Sequence, residues 1–520
     1  MDDVSRQLER SVGIVKMWEV TQLPNGKTLA EQLTFQGVSF WEIMAPVLAL
    51  YYVPVALSAG TQQSSILKQL RPHVTLAKRN LLSLIQRNKS TQNHVEWKKE
   101  STFLFLGFST YMYRDVLNPV ADHLATNRQK SSVVIHDGAM RKAIMPEDLI
   151  TYQSIWQHWD RNIKMETQHL RKQMQQGIDE LLTMNILPQI INADEVMLWP
   201  QMKNAFNWLF RFHLPILIPQ AVLARHILNR FKPSLIISAD VADPRTRLYS
   251  LLGHQMGIPS LEIQFGPNGS EGVEWQFVIA DQVATWGDTT YEVLLNHNVP
   301  AEKITITGSP RHDNLINVSA DEIAQTRKRL NIPPASAMVL CASTYQQKEY
   351  NSLSDPELLV SMKKAVFQAA GEIDGLCLVV KPHPLENVQE TKQLIGNAKN
   401  VLLLNAGEDI RELTKACDAF IGFGSTATVD ALIANKLTIC PSFKGWIWSD
   451  PFVKSNAVLV PRSEEEIVDI FKKITDYSYK EIIKEMDPAR QNYLYKLAYK
   501  IDGHSSERIT SIAIEMAKSK

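Results

Sequence analysis

The sequence predicts an α/β protein with two doubly wound parallel sheets in tandem, preceded by an N-terminal helical region. Three observations carry that expectation. The chain has 520 residues, more than one ordinary core serves. From residue 101 onward, short apolar runs alternate with helical stretches, the pattern of strand–helix–strand units. Near residue 330 the pattern starts again with continuously apolar runs, as strands covered on both faces require.

Taken in order, residues 1–100 read as a helical region without repeats. Within it, Trp41 to Gly60 is apolar for about the length of a membrane span but carries Glu42, Pro46 and Pro54. It reads as a buried helix pair, with a membrane-seated hairpin as the alternative. Residues 61–100 hold eight Lys or Arg against Glu96 and Glu100, a net +6 by that count (8 − 2). Such a stretch suits a solvated helix face or contact with anionic lipid. "STFLFLGFS" and "SSVVIHDG" are the first two strands, with a helix between them. Residues 140–230, with Trp156, Trp159, Trp199 and Trp208, read as a helical insertion. Strands resume at "PSLIISAD", "PSLEIQFG", "QFVIADQVATWG" and "KITITGSPRHDNL". The second set is "AMVLCAST", "LCLVVKPHP", "NVLLLN", "DAFIGFGS", "LTICPS" and "NAVLVPR", and a last helix starts at Ser505 or Ser506. The expected segments are 1–100, 101–325, 326–490 and 491–520.

The bulk numbers narrow the function classes. Lys plus Arg and Asp plus Glu are both 55, so the chain lacks the basic excess of a dedicated nucleic-acid binder. Cys341, Cys377, Cys417 and Cys440 form no CxxC pair, and read as reduced core residues of a cytoplasmic protein. The polar, charged first ten residues do not look like a secretory signal. No DxD triplet, ligand-spaced His/Cys/Asp cluster or GxxxxGK[ST] loop is present, so neither a metal–nucleotide clamp nor a P-loop is expected.

Ligands of doubly wound sheets bind at the carboxyl ends of strands, and two such ends stand out. In "GFGSTATVDAL", Gly422 and Gly424 allow close backbone approach, and Ser425, Thr426 and Thr428 are placed to cap a helix whose N-terminus suits phosphate. Asp430, five residues past Ser425, is placed to reach a ribose hydroxyl. In "LVVKPHPLEN", Pro382 and Pro384 hold His383 beside Lys381; both side chains suit phosphate, and His383 suits protonation of a leaving phosphate. An ordinary helix cap and a structural histidine are the competing readings. For a base that deprotonates an acceptor hydroxyl, Asp137 at the end of the second strand leads, with Asp240, Glu262 and Glu271 as alternatives. Arg311 and His312 suit donor phosphate or sugar, or else a structural ion pair.

A K-x-H-P loop followed some forty residues later by a G-S-T loop resembles the nucleotide-binding domain of GT-B glycosyltransferases of bacterial surface polysaccharide synthesis. That group includes CDP-glycerol glycerophosphotransferases, bacterial sialyltransferases and capsule Kdo transferases. The resemblance spans residues 100–520, with "FQGVSFWEI" added near the N-terminus. It implies two Rossmann-like domains facing a cleft, with acceptor bound by 101–325 and nucleotide sugar by 326–490. Lys381, Gly424, Ser425, Thr426, Asp430 and Arg311 would contact the donor, and Asp137 and His383 would be catalytic. It further implies inverting transfer to a polysaccharide or lipid-linked acceptor, with no cofactor beyond the donor and no metal, at the cytoplasmic side with peripheral contact to the inner membrane. A CMP-linked acidic sugar is one such donor. The other readings are a CDP-polyol phosphotransferase, a UDP-sugar 2-epimerase-like enzyme and a non-catalytic scaffold. Two departures stand out: Phe265 replaces the histidine of a Gln-His-Gly found in relatives, and His136 replaces one acid of an acidic pair.

Overall fold

The computed structural model describes residues 3–58, 103–137, 149–193, 196–267, 270–316, 318–345, 355–446 and 449–518. The basic stretch 61–100 and Gly138 lie outside them. The chain forms two compact units, residues 1–310 with 505–520, and residues 311–504. The N-terminal helices are thus part of the first unit. The last helix, Ser505–Lys518, returns to that unit, where Ile509 and Ala513 join its core.

The first unit is built on a seven-stranded parallel sheet. Its strands are β1 Phe103–Leu106, β2 Ser132–His136, β3 Ile150–Ser154, β4 Leu235–Ser238, β5 Ser260–Ile263, β6 Gln282–Thr285 and β7 Ile304–Ile306. They lie in the order β7-β6-β5-β4-β1-β2-β3. The second unit has β8 Ala337–Ala342, β9 Leu376–Lys381, β10 Val401–Leu403, β11 Ala419–Gly422 and β12 Leu437–Ile439, ordered β10-β9-β8-β11-β12 and all parallel. Helices such as Pro356–Gly371 cover this sheet, and Met362, Val366 and Phe367 pack against Val339, Leu378 and Ile421 in its core.

Two expectations from the sequence change. Within the stretch read as helical, "ITYQS" forms β3, a parallel edge strand beside β2, as its β-branched and aromatic residues favour. Conversely "NAVLVPR" is no strand. It makes a single bridge, Leu459 to Ile439, and the Pro461 carbonyl accepts from Ser442 N at 3.0 Å, but Asn456 sits at φ 56° and Pro461 has no N–H to extend a ladder.

The apolar N-terminal segment is one helical run, Phe40–Leu57, not a helix pair. It is the one described helix long and apolar enough to cross a membrane, yet Trp41, Ile43 and Met44 are buried within the unit. Pro46 leaves the Glu42 carbonyl without its helical donor, and Arg247 Nε fills that place at 3.1 Å. All four cysteines are free, as expected, and burial pushes the Cys341 and Cys417 thiols up to about 12.

A short antiparallel hairpin, Thr34–Phe35 with Val38–Ser39, docks on the long helix Arg161–Thr183 at Gly177. A Cβ there would meet the Phe35 ring at 2.7 Å, and Gln32 Nε2 donates to the Gly177 carbonyl at 2.9 Å. Helix propensity alone would favour alanine by about 1 kcal/mol. Overpacking against Phe35 should outweigh it, so Gly177→Ala is expected to lose about 1–3 kcal/mol in urea unfolding. A gain in stability would show that the hairpin yields without cost.

Candidate functional site

In the second unit the chain lays down β8, then β9 and β10 to one side, and returns to lay β11 and β12 on the other. Strand order therefore reverses between β8 and β11, where a parallel sheet opens a crevice at its carboxyl edge. Register fixes what lies there. Ala342 at the end of β8 pairs with Lys381 on one side and Gly422 on the other. With strands about 4.8 Å apart, the ends of β9 and β11 stand about 10 Å from each other across β8. The loops carrying Ser343 and Tyr345, Lys381 and His383, and Gly424 to Thr426 thus share one edge.

The β9 loop is held by a residue that the sequence reading passed over. The Glu386 side chain is 4 % exposed, and its Oε1 accepts from Ser343 Oγ at 2.7 Å, Thr391 Oγ1 at 2.6 Å and Lys363 Nζ at 2.5 Å. Its Oε2 accepts from the His383 backbone N–H at 3.0 Å. One carboxylate thereby ties the ends of β8 and β9 to two helices. The available signal was the acid three residues past the histidine in "HPLE". His383 Nδ1 accepts from the Leu385 N–H at 3.2 Å, which assigns the ring proton to Nε2. Burial first, then Lys381, lowers the pKa of this histidine, so the ring is neutral at neutral pH and offers an N–H donor. The Tyr345 ring lies 5.0 Å from it.

In the β11 loop the expected caps do not form. Thr426 stands at the N-cap of the short helix Ala427–Ile433 in αR geometry, and its side chain makes no cap hydrogen bond. Backbone bonds close the turn instead, from Thr428 N to Ser425 O and from Val429 N to Thr426 O, both 3.0 Å. The two glycines serve different ends. Gly424 takes φ +94°, whereas a Cβ on Gly422 would meet Thr428 Oγ1 at 2.5 Å, so its space belongs to Thr428 and not to a ligand. Ser425 Oγ is buried and has no hydrogen-bond partner among the described residues.

Asp430 and Arg311 face each other. Arg311 Nε lies 2.9 and 3.1 Å from the two carboxylate oxygens and Nη2 lies 2.5 Å from Oδ2, with Asp430 wholly buried. The Asp430 carboxylate expected at a ribose is engaged by the arginine expected at a phosphate. His312 Nε2 is 3.8 Å from Asp430, and burial lowers its pKa to about 4, so it stays neutral.

In the first unit, Asp137 follows β2 and is buried in an ion pair with Arg245 Nη1. Arg245 also pairs with Asp243, donates to Phe108 O at 3.2 Å and lies over the Phe108 ring at 4.9 Å. Burial disfavours the charge on Arg245, but Asp243 and Asp137 outweigh it and raise its pKa. Asp240 and Glu262 end β4 and line β5, and the side chain of Glu271 lies outside the described residues. Phe265 packs at the edge of the first-unit core.

The fold is GT-B. Residues 287–436, which contain both strand-end loops, match the family model described as CDP-Glycerol:Poly(glycerophosphate) glycerophosphotransferase. The wall teichoic acid polymerase TagF shares the fold at 11 % identity, over 87 % of this chain and 97 % of that one, with TM-score 0.50. A putative UDP-N-acetylglucosamine 2-epimerase from Listeria monocytogenes matches at 11 % identity, 81 % and 98 % coverage and TM-score 0.50. The Neisseria meningitidis UDP-GlcNAc 2-epimerase bound to UDP-GlcNAc is 17 % identical over 80 % of this chain and 100 % of that one, with TM-score 0.49. Among curated proteins none matches the chain.

Glu386→Ala leaves Lys363 buried without its partner. The expected loss is about 3–5 kcal/mol in chemical denaturation, against much less for Glu386→Gln, which keeps the shape and an acceptor. Equal small losses for both would show that the loop is held by its prolines alone.

Proposed function

We propose that the chain transfers a group from a nucleotide-activated donor to a hydroxyl of a surface polysaccharide or glycolipid, with inversion in the case of a sugar. The observation that carries this reading is the common edge of the second sheet. There a lysine and a neutral histidine donor at the end of β9, and a serine hydroxyl past β11 without a partner among the described residues, flank β8 at the point where strand order reverses. Lys381 and His383 Nε2–H suit the donor phosphate, and Ser425 supplies a further hydrogen bond. The histidine then assists departure of the nucleotide by donating a hydrogen bond to its phosphate.

A sugar donor such as a CMP-linked acidic sugar is the first reading. The family match over 287–436 favours a second, transfer of a polyol phosphate from a CDP donor, because the matched description names that chemistry. Both release CMP, and both use the same phosphate grip. No metal is assigned to the reaction, since the lysine and the histidine supply the positive and donor groups a metal would otherwise provide.

Thermal shift with CMP, CDP, UDP and GDP is the deciding experiment, because ligand bound only to the folded state raises apparent stability. His383→Ala, and Ser425→Ala with Thr426→Ala, should then weaken the preferred nucleotide about ten- to a hundredfold, the size of one lost charge-assisted contact. Acceptor-dependent CMP release should persist in EDTA. Unchanged affinity in folded variants, or full loss in EDTA reversed by magnesium, would overturn this assignment.

Peripheral attachment to the inner membrane face belongs to the same proposal and rests on the +6 stretch 61–100 (8 − 2). The protein should leave membranes at high salt, where surface charge is screened. Retention through salt and alkaline washing would instead point to insertion of the Phe40–Leu57 helix.

A further inference from the structure

The first unit carries an outward-facing patch on two packed helices. The apolar helix Phe40–Leu57 lies against the helical run 199–231, and both belong to that unit. Two contacts join them: the Trp41 and Phe206 rings stack 6.5 Å apart, and Tyr52 Oη lies 3.5 Å from His213 Nε2. Phe206 also meets Trp18, Trp199 and Phe210, so a buried aromatic cluster braces the pair from inside.

Away from that cluster, exposure follows the helical period. Val47, Leu50, Tyr51, Pro54 and Val55 are partly or fully exposed, and so are Trp208, Arg211, Phe212, Pro215 and Ile216. Spacings of three and four put each set on one face of its helix. Tyr51 is 42 % and Phe212 46 % exposed, and the Trp208 and Phe212 rings lie 4.4 Å apart. Exposed apolar residues scattered singly are ordinary, but a periodic set on two braced helices forms a patch.

The charges of this patch have one sign. Residues 43–57 contain no charged residue, and 196–231 contain no Asp or Glu. Lys203 and Arg211 are exposed on the second helix, Arg211 within the patch itself. The helix Asp3–Glu19, whose Gln7 Nε2 donates to the Pro54 carbonyl at 2.8 Å, adds exposed Arg6 and Arg10 against a half-buried Glu9. From the end of the apolar helix the sequence runs on to the stretch 61–100 with its net +6 (8 − 2). An aromatic face that holds cations and no acid of its own suits a surface of uniform negative charge.

Building on the peripheral attachment proposed above, we propose that this two-helix face seats in the headgroup layer of an anionic bilayer. Tyr51, Trp208 and Phe212 enter the interface, and Lys203 and Arg211 meet lipid phosphate. Both helices lie along the membrane while Trp41, Ile43 and Met44 stay buried in the unit, so neither helix spans it. Ring insertion and the +6 stretch are two weak signals that together give an attachment neither gives alone. High salt still releases the protein, because it screens the electrostatic one.

The test floats the full-length protein with vesicles of phosphatidylglycerol and phosphatidylcholine in equal parts, and with vesicles of phosphatidylcholine alone. Tyr51→Ser combined with Phe212→Ser removes the rings and keeps every charge; it should lower the partition constant on anionic vesicles about tenfold or more. Lys203→Gln with Arg211→Gln should lower it about tenfold on anionic vesicles and leave the neutral ones unchanged. Tyr495→Ser, at an exposed ring of the second unit, should bind as wild type does. Lipid brominated on its acyl chains should quench the tryptophan fluorescence of wild type, and that of Trp208→Phe less. Each variant should keep the circular dichroism and nucleotide thermal shift of wild type. A Tyr51→Ser, Phe212→Ser protein that floats within about twofold of wild type overturns the inference and leaves attachment to 61–100 alone. An equal loss in Tyr495→Ser overturns it too. So does a wild type that sediments as a dimer without lipid and becomes a monomer with Phe212→Ser, since a second copy then covers the face. A wild type that floats with neither vesicle removes the attachment reading as well, while nucleotide binding in solution decides the transferase reading separately.

Discussion

A parallel sheet covered by helices on both faces leaves polar chemistry nowhere to go but the strand ends. In both units the strands are mostly apolar, and Asp137, Asp240, His383 and Ser425 sit one to three positions past strand ends, while Lys381 is the last residue of β9. Backbone pairing fixes those positions. Because Ala342 pairs on one side with Lys381 and on the other with Gly422, loops separated by some forty residues of sequence are brought to one edge by backbone register. The site is a consequence of register.

Charge buried near these edges is handled by one repeated device, in which each charged group is matched by several fixed partners. Glu386 collects four donors, Asp430 is clasped by Arg311, Arg245 pairs with Asp137 and Asp243, and Arg247 spends its donors on three carbonyls. Such pairs add little net stability over apolar packing, but removing one member is expensive. Their value here is geometric, since they hold loops in place that prolines and turns alone would leave loose. They also decide which polar groups remain open. After the pairs form, Ser425 Oγ in the second unit and Asp240 Oδ2 in the first are among the few atoms at these edges without a partner in the described residues.

The alternation of short apolar runs and helical stretches was enough to read two doubly wound sheets and most of their strands from the sequence, because strand period and burial depend on local composition. It failed where context ruled: "ITYQS" became an edge strand by pairing with β2, and "NAVLVPR" was denied a ladder by Asn456 and Pro461. The strand-end motifs "KPHP" and "GST" were legible too, since proline, glycine and hydroxyl residues at a strand end are local signals. What a residue's side chain meets is not a local property. Sequence alone could not tell that Arg311 would meet Asp430 119 positions away, or Arg245 meet Asp137 across 108, nor that Glu386 would tie the β9 loop to Ser343. Composition and periodicity determined the elements and the edge where chemistry gathers; only the tertiary structure decided which charges neutralise one another and which stay open, because that choice depends on distances set by folding.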